Sequence, residues 1–262
     1  MFVMQKRADK IDALLEVRDC LVFCERTIDI SEEIKNRHAI VLCESARLEY
    51  CRFFRDNNIS NLPELEEFEE VGGAYICKGA QIGDNTVIMP GAYIGSDVKI
   101  GSGCYIGSGV RIIGRIIIGD NCIIRENSVI GADGMTTDRD SDGTIITMPH
   151  FGGVIIGDNV GIGALTVIAR GEIDDTVIED GCRIDNSCFI SHNVHLGEDT
   201  IVIGESIMFG SSSTGKRAYI SGNSTIRNKA TIGADSFIGM GSVVTKDVPD
   251  GTVVYGNPAK SK

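Results

Sequence analysis

Isoleucine recurs at every sixth position over a long part of the chain. Ten isoleucines keep this spacing without interruption from Ile76 to Ile130. The spacing resumes at Ile156, and a third series of mostly aliphatic residues runs from Ile178 to Val244. A period of six does not fit the 3.6 residues of a helical turn, but it suits a short strand followed by a turn. The pattern therefore predicts short, stacked strands.

A second position repeats four residues after each aliphatic residue and holds a small or slim side chain. Ala92 is one example, and four cysteines occupy the same slot: Cys104, Cys122, Cys182 and Cys188. We therefore expect these cysteines to be small core residues and not reactive thiols. The two repeating positions together predict a parallel β-helix with three hexapeptides per coil over residues 72–262. Nine cysteines without a CxxC pair do not favour a zinc ribbon or a thioredoxin motif.

Two segments interrupt the period. Residues 132–153 are polar and glycine-rich, so we expect a loop extruded from the coil, and residues 169–177 form a smaller bulge. The acidic tip of the loop, at Asp138, Asp140 and Asp142, is interpreted as a solvated decoration.

The first 71 residues lack the repeat and predict a small α/β cap. Residues 21–25 and 39–43 are typical of buried strands. Residues 46 to about 57 are typical of a helix, and the preceding serine can cap it. Residues 62–70 are interpreted as an acidic linker into the first coil.

Charge and composition exclude several classes of protein. The chain has 25 Lys and Arg against 37 Asp and Glu, a net charge of −12, which argues against general nucleic-acid binding. Neither a signal peptide nor an apolar run long enough to span a membrane is found, so a cytoplasmic protein is expected. Residues 203–262 are basic, with seven Lys or Arg and four Asp or Glu, which suits a phosphate-bearing ligand such as CoA or an acidic carrier protein.

The chain has four histidines: His38, His150, His192 and His195. Because the axis of a β-helix is packed and dry, chemistry must take place on its outer faces or between subunits. In the hexapeptide frame His192 falls at a corner and His195 just before the next aliphatic residue, so both should point outward. We expect His195 to be an ordinary surface residue.

The sequence around His192 resembles that of one enzyme family. The stretch from Ile162 to Gly197, IGALTVIARGEIDDTVI followed by IDNSCFISHNVHLG, is similar to UDP-3-O-(3-hydroxyacyl)glucosamine N-acyltransferases of lipid A biosynthesis. SVIGADG, GGVIIGDNV and the cap segment AIVLCESARLEYCRFF fit the same family. The ending IGMGSVVTKDVPDGTVVYGNPAK resembles acetyl-CoA-dependent sugar acetyltransferases of the same fold. The resemblance implies a left-handed β-helix, a homotrimer with sites between subunits, and a cap at residues 1–71 that could bind a nucleotide.

The sequence departs from the family in three places. MTTD at residues 135–138 replaces an aromatic motif, Lys229 stands where the family has a second histidine, and the family's C-terminal helical extension is missing. These differences leave open whether the acyl donor is a short acyl-CoA or a longer acyl chain on a carrier protein.

The resemblance implies direct transfer of an acyl group from a thioester to a sugar amine or hydroxyl. His192 would be the general base, because histidine titrates near neutral pH, and Asn193 or Asp185 would orient it. The N–H of Gly210 could stabilise the oxyanion. The remaining site predictions are substrate contacts at Asp185, Asn186, Arg170 and Asp174, and donor contacts at Gly210, Lys229, Lys246 and Lys260. A structural ion pair of Arg170 with Asp174 or Asp175 is an equal alternative.

The sequence thus predicts an acyltransferase of class EC 2.3.1 that acts on a nucleotide-linked sugar, with acyl-CoA or acyl carrier protein as co-substrate. No permanently bound cofactor and no metal is expected. One alternative is a non-catalytic β-helix scaffold. The other is a zinc lyase of the carbonic anhydrase type, for which His150, His192 and His195 are the available ligands but are poorly spaced.

Overall fold

The computed structural model describes residues 1–60 and 66–261, which form two compact units. Unit 1 comprises Met1–Leu62 and Met135–Pro149, and unit 2 comprises Pro63–Gly134 and His150–Lys262. Within the described part of the chain, no helix has the length and apolar character needed to cross a lipid bilayer. The two units are described separately.

Unit 2 is a left-handed β-helix whose coils pass through three sheets, called sheets I, II and III in the order that the chain visits them. Sheet I contains Phe68–Val71, Ala74–Cys77, Tyr93–Ile94, Arg111–Ile112, Val129–Ala132, Val167–Ala169, Phe189–Ile190, Ile207–Met208, Thr225–Ile226 and Val243–Val244. Sheet II contains Gln81–Ile82, Val98–Ile100, Ile116–Ile118, Val154–Ile156, Thr176–Ile178, His195–Leu196, Ser213–Thr214 and Thr231–Ile232. Sheet III contains Val87–Ile88, Tyr105–Ile106, Ile123–Ile124, Gly161–Ile162, Arg183–Ile184, Ile201–Val202, Tyr219–Ile220, Phe237–Ile238, Val253–Tyr255 and Lys260–Ser261. The predicted fold is confirmed.

The repeated aliphatic residues stack on one another from coil to coil. Ile106 lies beside Ile124 in a parallel register, and both side chains are fully buried. The stack begins less regularly, because Ile82 lies on the outermost strand of sheet II and is 37% exposed. The acidic segment at residues 62–70 is more than a linker. Phe68–Val71 is a strand paired antiparallel with Ala74–Cys77, whereas residues 62–65 of the predicted linker lie outside the described residues.

The slim position of the repeat is buried in most coils, and most of its hydroxyl groups donate to backbone carbonyl oxygens; the buried Ser212 Oγ is an exception among the described residues. Ser128 donates its hydroxyl to the Gly163 carbonyl oxygen at 2.7 Å, and Thr166, Ser206, Ser224 and Ser236 make equivalent bonds. The four cysteines of this slot are also buried, as predicted. Removal from water raises the pKa of both Cys122 and Cys182 to about 12. These thiols are therefore protonated and unreactive at neutral pH.

Most corners of the β-helix are turned by a residue with a left-handed backbone. The φ of Asn193 is 57°, and Asn85, Asn121, Asn127, Asn159 and Asn223 adopt similar values. Asparagine tolerates this region better than most residues with a side chain. The spacing of these residues therefore marks where one sheet ends and the next begins.

Unit 1 contains a three-stranded parallel sheet of Phe2–Val3, Leu21–Glu25 and Ala39–Cys43. A 3-10 helix spans Gln5–Glu16, and α-helices span Glu32–Arg37 and Ala46–Asp56. The predicted helix cap at Ser45 is confirmed, because the Ser45 hydroxyl accepts a hydrogen bond from the Leu48 N–H. The prediction that residues 39–43 are buried was wrong. This strand lies at the edge of the sheet, and Leu42 is 51% exposed.

Unit 1 also contains the segment 135–149, which forms an antiparallel hairpin of Thr137–Arg139 and Ile145–Thr147. Its acidic tip is not a solvated decoration. Asp140 accepts hydrogen bonds from Arg52 and Arg55, and Asp138 forms an ion pair with Arg47 at 3.0 Å. These arginines all lie on the helix Ala46–Asp56, so ion pairs hold the hairpin to this helix.

Replacing Asp140 with asparagine should destabilise unit 1 in a pH-dependent way. Hydrogen bonds from Arg52 and Arg55 hold the pKa of Asp140 well below its usual range. Because the carboxylate is favoured in the folded state, its stabilising effect is complete above the unfolded pKa of about 4 and is lost as the pH falls toward the folded value.

The melting temperature of the variant should therefore be lower than that of the wild type at pH 7, and the difference should shrink below pH 4. Asp142→Asn is the matched control, since no arginine pairs with Asp142 within the described residues. An unchanged difference between pH 7 and pH 3 would show that the ion pairs contribute nothing.

Candidate active site

Most of the chemically active side chains lie at one edge of the β-helix, the corner between sheets I and II. We call it the I–II edge. Both interruptions of the hexapeptide period lie on it, because the chain leaves sheet I after Ala132 and after Ala169 and re-enters sheet II at Val154 and at Thr176. The edge includes Arg115, Gly134, His150, Arg170, Glu172, Asp175, His192, Asn193, Gly210, Lys229 and Lys246.

Asn193 fixes the tautomer of neutral His192. The Asn193 amide nitrogen Nδ2 donates to the Asp174 carbonyl oxygen at 2.7 Å, so its Oδ1 faces the other way. Oδ1 accepts the Glu172 backbone N–H at 3.1 Å and lies 3.1 Å from His192 Nδ1. An amide oxygen can only accept, so a neutral His192 carries its proton on Nδ1. The lone pair is therefore on Nε2.

The bulge at residues 169–177 holds Asn193 through backbone atoms. Gly171 makes this possible, because a Cβ atom at this position would lie 1.7 Å from the Asp174 carbonyl oxygen and 2.9 Å from Asn193 Nδ2. The Asn193 N–H donates to Thr176 Oγ1 at 2.8 Å. The RG-x-x-DDT segment thus orients His192 through Asn193. Asp174 takes part with its backbone carbonyl group, which accepts the Asn193 amide.

The Nε2 nitrogen of His192 lies next to Gly210 on the next coil. A Cβ atom on Gly210 would lie 2.4 Å from His192 Nε2, so only glycine leaves space for the imidazole. Within the described part of the chain, the Gly210 N–H has no hydrogen-bond acceptor, although the residue is buried. A lone pair and an unused N–H donor therefore lie side by side.

Arg170 and Arg115 brace the edge in different ways. Arg170 donates from Nε to the Gly152 carbonyl oxygen at 2.7 Å, and its partial burial lowers the pKa of its guanidinium. Arg115, not Arg170, forms the ion pair with Asp175, which also accepts the Gly153 N–H at 2.7 Å. The predicted structural ion pair therefore exists with a different arginine.

The other predicted site residues divide between two edges. Asp185 and Asn186 lie at the corner between sheets III and I, not with His192. There Asp185 accepts the Gly204 N–H at 3.2 Å and Asn186 accepts the Ala164 N–H at 2.7 Å, so both tie neighbouring coils together.

The four predicted donor contacts are also spread along the β-helix. Gly210, Lys229 and Lys246 lie on the I–II edge, on three successive coils beyond His192, and the Lys229 N–H donates to the Gly210 carbonyl oxygen. Lys260 lies on the last strand of sheet III. The structure therefore brings three of these residues to the edge that holds His192 and separates the fourth from it.

Sequence reasoning missed Glu172 and gave no reason to place His150 beside His192. Glu172 Oε1 lies 3.5 Å from His192 Nδ1, and the ring of His150 lies 5.6 Å from that of His192, nearly perpendicular to it. His195, by contrast, is exposed as predicted and pairs with Glu179 at 2.6 Å. Of the three histidines considered as zinc ligands, His150 therefore lies close to His192, and only His195 is poorly placed for a shared metal ion.

The sheets, the stacked hexapeptides and this edge define a hexapeptide-repeat β-helix protein. The family model "Bacterial transferase hexapeptide (six repeats)" matches residues 79–114 and 97–132. The chain is 49% identical over 86 residues to a UDP-3-O-acylglucosamine N-acyltransferase of Idiomarina loihiensis, and 40% identical over 126 residues to that of a Janthinobacterium species. The predicted resemblance to this family is confirmed.

These matches cover 33% and 48% of this chain, but only 25% and 36% of the two relatives. The chain therefore spans about a quarter to a third of the length of the curated relatives that it matches. Two solved UDP-N-acetylglucosamine acyltransferases are similar over more of the chain. That of Campylobacter jejuni has a TM-score of 0.65 at 28% identity, with 72% of each chain covered. That of Bacteroides fragilis has a TM-score of 0.67 at 26% identity, with 73% of each chain covered.

Proposed function

We propose that the chain is an acyltransferase that moves an acyl group from a CoA or acyl-carrier-protein thioester to an amine or hydroxyl of a nucleotide-linked sugar. The observation that carries the proposal is the pairing of the His192 Nε2 lone pair with the Gly210 N–H. Acyl transfer needs a base for the nucleophile and a donor for the oxyanion, and these two groups supply them next to each other. The names of the similar proteins support the choice of reaction.

In the proposed reaction the sugar amine or hydroxyl attacks the thioester carbonyl while His192 Nε2 accepts its proton. The new bond places negative charge on the carbonyl oxygen, which the Gly210 N–H stabilises. When the carbonyl re-forms, the carbon–sulfur bond breaks and the leaving thiolate takes the proton from the imidazolium. The Asn193 oxygen accepts from Nδ1–H and so keeps the imidazole oriented while Nε2 takes up and returns the proton.

The basic residues Lys229 and Lys246 support the donor side of the proposal. Both are exposed on the I–II edge beyond Gly210, where they can attract the phosphates of CoA or an acidic carrier protein. Substrate contacts of Asp185 and Asn186 on this protomer are less favoured, because both side chains already hold backbone groups. A homotrimer, a cytoplasmic location and nucleotide binding by the cap remain predictions.

Ligand binding tests the donor and acceptor. Acetyl-CoA, a long-chain acyl-CoA, acyl-loaded carrier protein and UDP-N-acetylglucosamine are added separately to the folded protein, and the melting temperature and the heat of binding are measured. A ligand at 100 times its Kd stabilises the native state by about 2.7 kcal/mol, which raises the melting temperature by a few degrees.

We expect saturable binding of at least one thioester donor, and its chain length then identifies the donor class. Free CoA is the control for binding through the nucleotide alone. Binding of no donor by folded protein would contradict the proposal and favour the scaffold alternative.

A further inference from the structure

The cluster of His150, Glu172 and His192 has the composition of a metal-binding site. One donor atom from each residue lies within 4.8 Å of the other two. The three side chains come from three different passes of the chain over the I–II edge: the end of the long interruption, the bulge and the corner after Phe189–Ile190. Two imidazoles and one carboxylate are the ligands that Zn²⁺ and similar transition metals use.

The spacing of the donor atoms suits an ion of this size. Zinc binds nitrogen and oxygen at about 2.0–2.2 Å, so the ligand atoms of a tetrahedral site lie about 3.3 Å apart. The Glu172 Oε1 and His192 Nδ1 atoms are already 3.5 Å apart. His150 is fully buried and its ring plane is 77° from that of His192, so the two rings are not stacked face to face. The Glu172 and His192 side chains are 21% and 19% exposed, so the cluster is reached from solvent on their side.

Glycine leaves space around this cluster. A Cβ atom on Gly134 would lie 2.9 Å from His150 Nε2 and 3.0 Å from the Cδ2 atom of His192. The chain therefore has no side chain at the point where the two imidazoles approach each other.

We propose that His150, Glu172 and His192 bind one divalent transition-metal ion of the Zn²⁺ type, and that the bound ion blocks the acyl-transfer chemistry of His192. The His192 nitrogen nearest to Glu172 is Nδ1. A metal ion on Nδ1 uses the lone pair of that nitrogen, so the single proton of the neutral imidazole moves from Nδ1 to Nε2. His192 can no longer accept a proton from a substrate. The inhibition rests on the proposed function, whereas the metal binding does not.

Equilibrium binding tests the metal site without any activity measurement. Protein treated with EDTA and exchanged into metal-free buffer is titrated with ZnCl₂ in a calorimeter and with CoCl₂ in a spectrophotometer. Wild-type protein should bind one Zn²⁺ per chain with micromolar or tighter affinity, and Co²⁺ should give visible absorption bands of a site with nitrogen and oxygen ligands.

Glu172→Gln removes one ligand at the least buried side of the site. It should weaken Zn²⁺ binding by at least the roughly 10–100-fold that loss of an outer-shell partner causes. Glu179→Gln is the matched control, because Glu179 forms the other histidine–glutamate pair of this β-helix, with exposed His195. All nine cysteines are unchanged in both variants, so a difference between them reports on the cluster.

His150→Gln is a second test at the buried end, with its melting temperature measured to verify folding. Equal Zn²⁺ affinity in wild type and Glu172→Gln would overturn the proposal, as would loss of binding in Glu179→Gln. An absence of Zn²⁺ binding by the wild type would do the same. In the acyl-transfer assay, Zn²⁺ near its Kd should halve the rate, and EDTA should restore it. If no acyl transfer is found with any donor, the proposed function fails, while the calorimetric result on the metal site stands.

Discussion

Replacement of His192 with alanine should lower the turnover of acyl transfer by about 10²–10⁴-fold, the usual contribution of a general base. The imidazole combines a fixed tautomer with an Nε2 lone pair next to Gly210, whose N–H has no acceptor within the described residues. Without it, the attacking amine or hydroxyl must lose its proton to water. The effect should fall on kcat, because the imidazole acts on the reacting atoms and makes little contact with the rest of the substrate.

The steady-state rates of wild type and variant, with donor and acceptor both saturating, measure this effect. His195→Ala is the matched control, because His195 is an exposed histidine of the same β-helix. It should retain wild-type turnover. If His192→Ala folds and retains full turnover, another group is the base.

Replacement of Gly210 with alanine is expected to have an effect of similar size through a different cause. The new methyl group would lie 2.4 Å from His192 Nε2 and 2.5 Å from Cε1, distances that atoms in contact do not adopt. The φ of Gly210 is outside the left-handed region, so the backbone accepts alanine without strain. The imidazole must therefore move away, and both the base and the access to the Gly210 N–H are lost. We expect turnover to fall by roughly 10²-fold or more.

Gly222→Ala is the control for this variant. A Cβ atom on Gly222 would have its nearest neighbour, the Gly204 carbonyl oxygen, at 3.3 Å, so little has to move. Both variants should melt close to the wild-type temperature, while only Gly210→Ala loses turnover. Wild-type turnover in Gly210→Ala would show that the oxyanion does not form beside this glycine.

The regular part of the molecule could be predicted from the sequence because its period determines its geometry. Residues 18 positions apart occupy the same corner of successive coils, so the proximity of Gly210 to His192 follows from counting. The inward direction of Ile106 and the burial of Cys122 follow from the same period. Asn193 could be assigned to a corner for the same reason.

The parts that could not be predicted lie where the period is broken. His150 and Glu172 stand on the two interruptions, whose lengths are not multiples of six, so counting does not indicate where their side chains lie. Asp140 is similar, because its arginine partners are far away in the chain and belong to a helix without a repeat. The choice between Arg115 and Arg170 as the partner of Asp175 also depends on the exact path of the bulge.

Product analysis is the most direct test of the account. Purified wild-type protein is incubated with each thioester donor and a UDP-linked amino sugar, and the nucleotide sugars are then analysed by mass spectrometry. The account predicts a nucleotide sugar heavier by one acyl group, formed with release of one thiol per product and absent with His192→Ala. Folded wild-type protein that forms no acylated sugar from any of these donors, or an equal yield from His192→Ala, would contradict it.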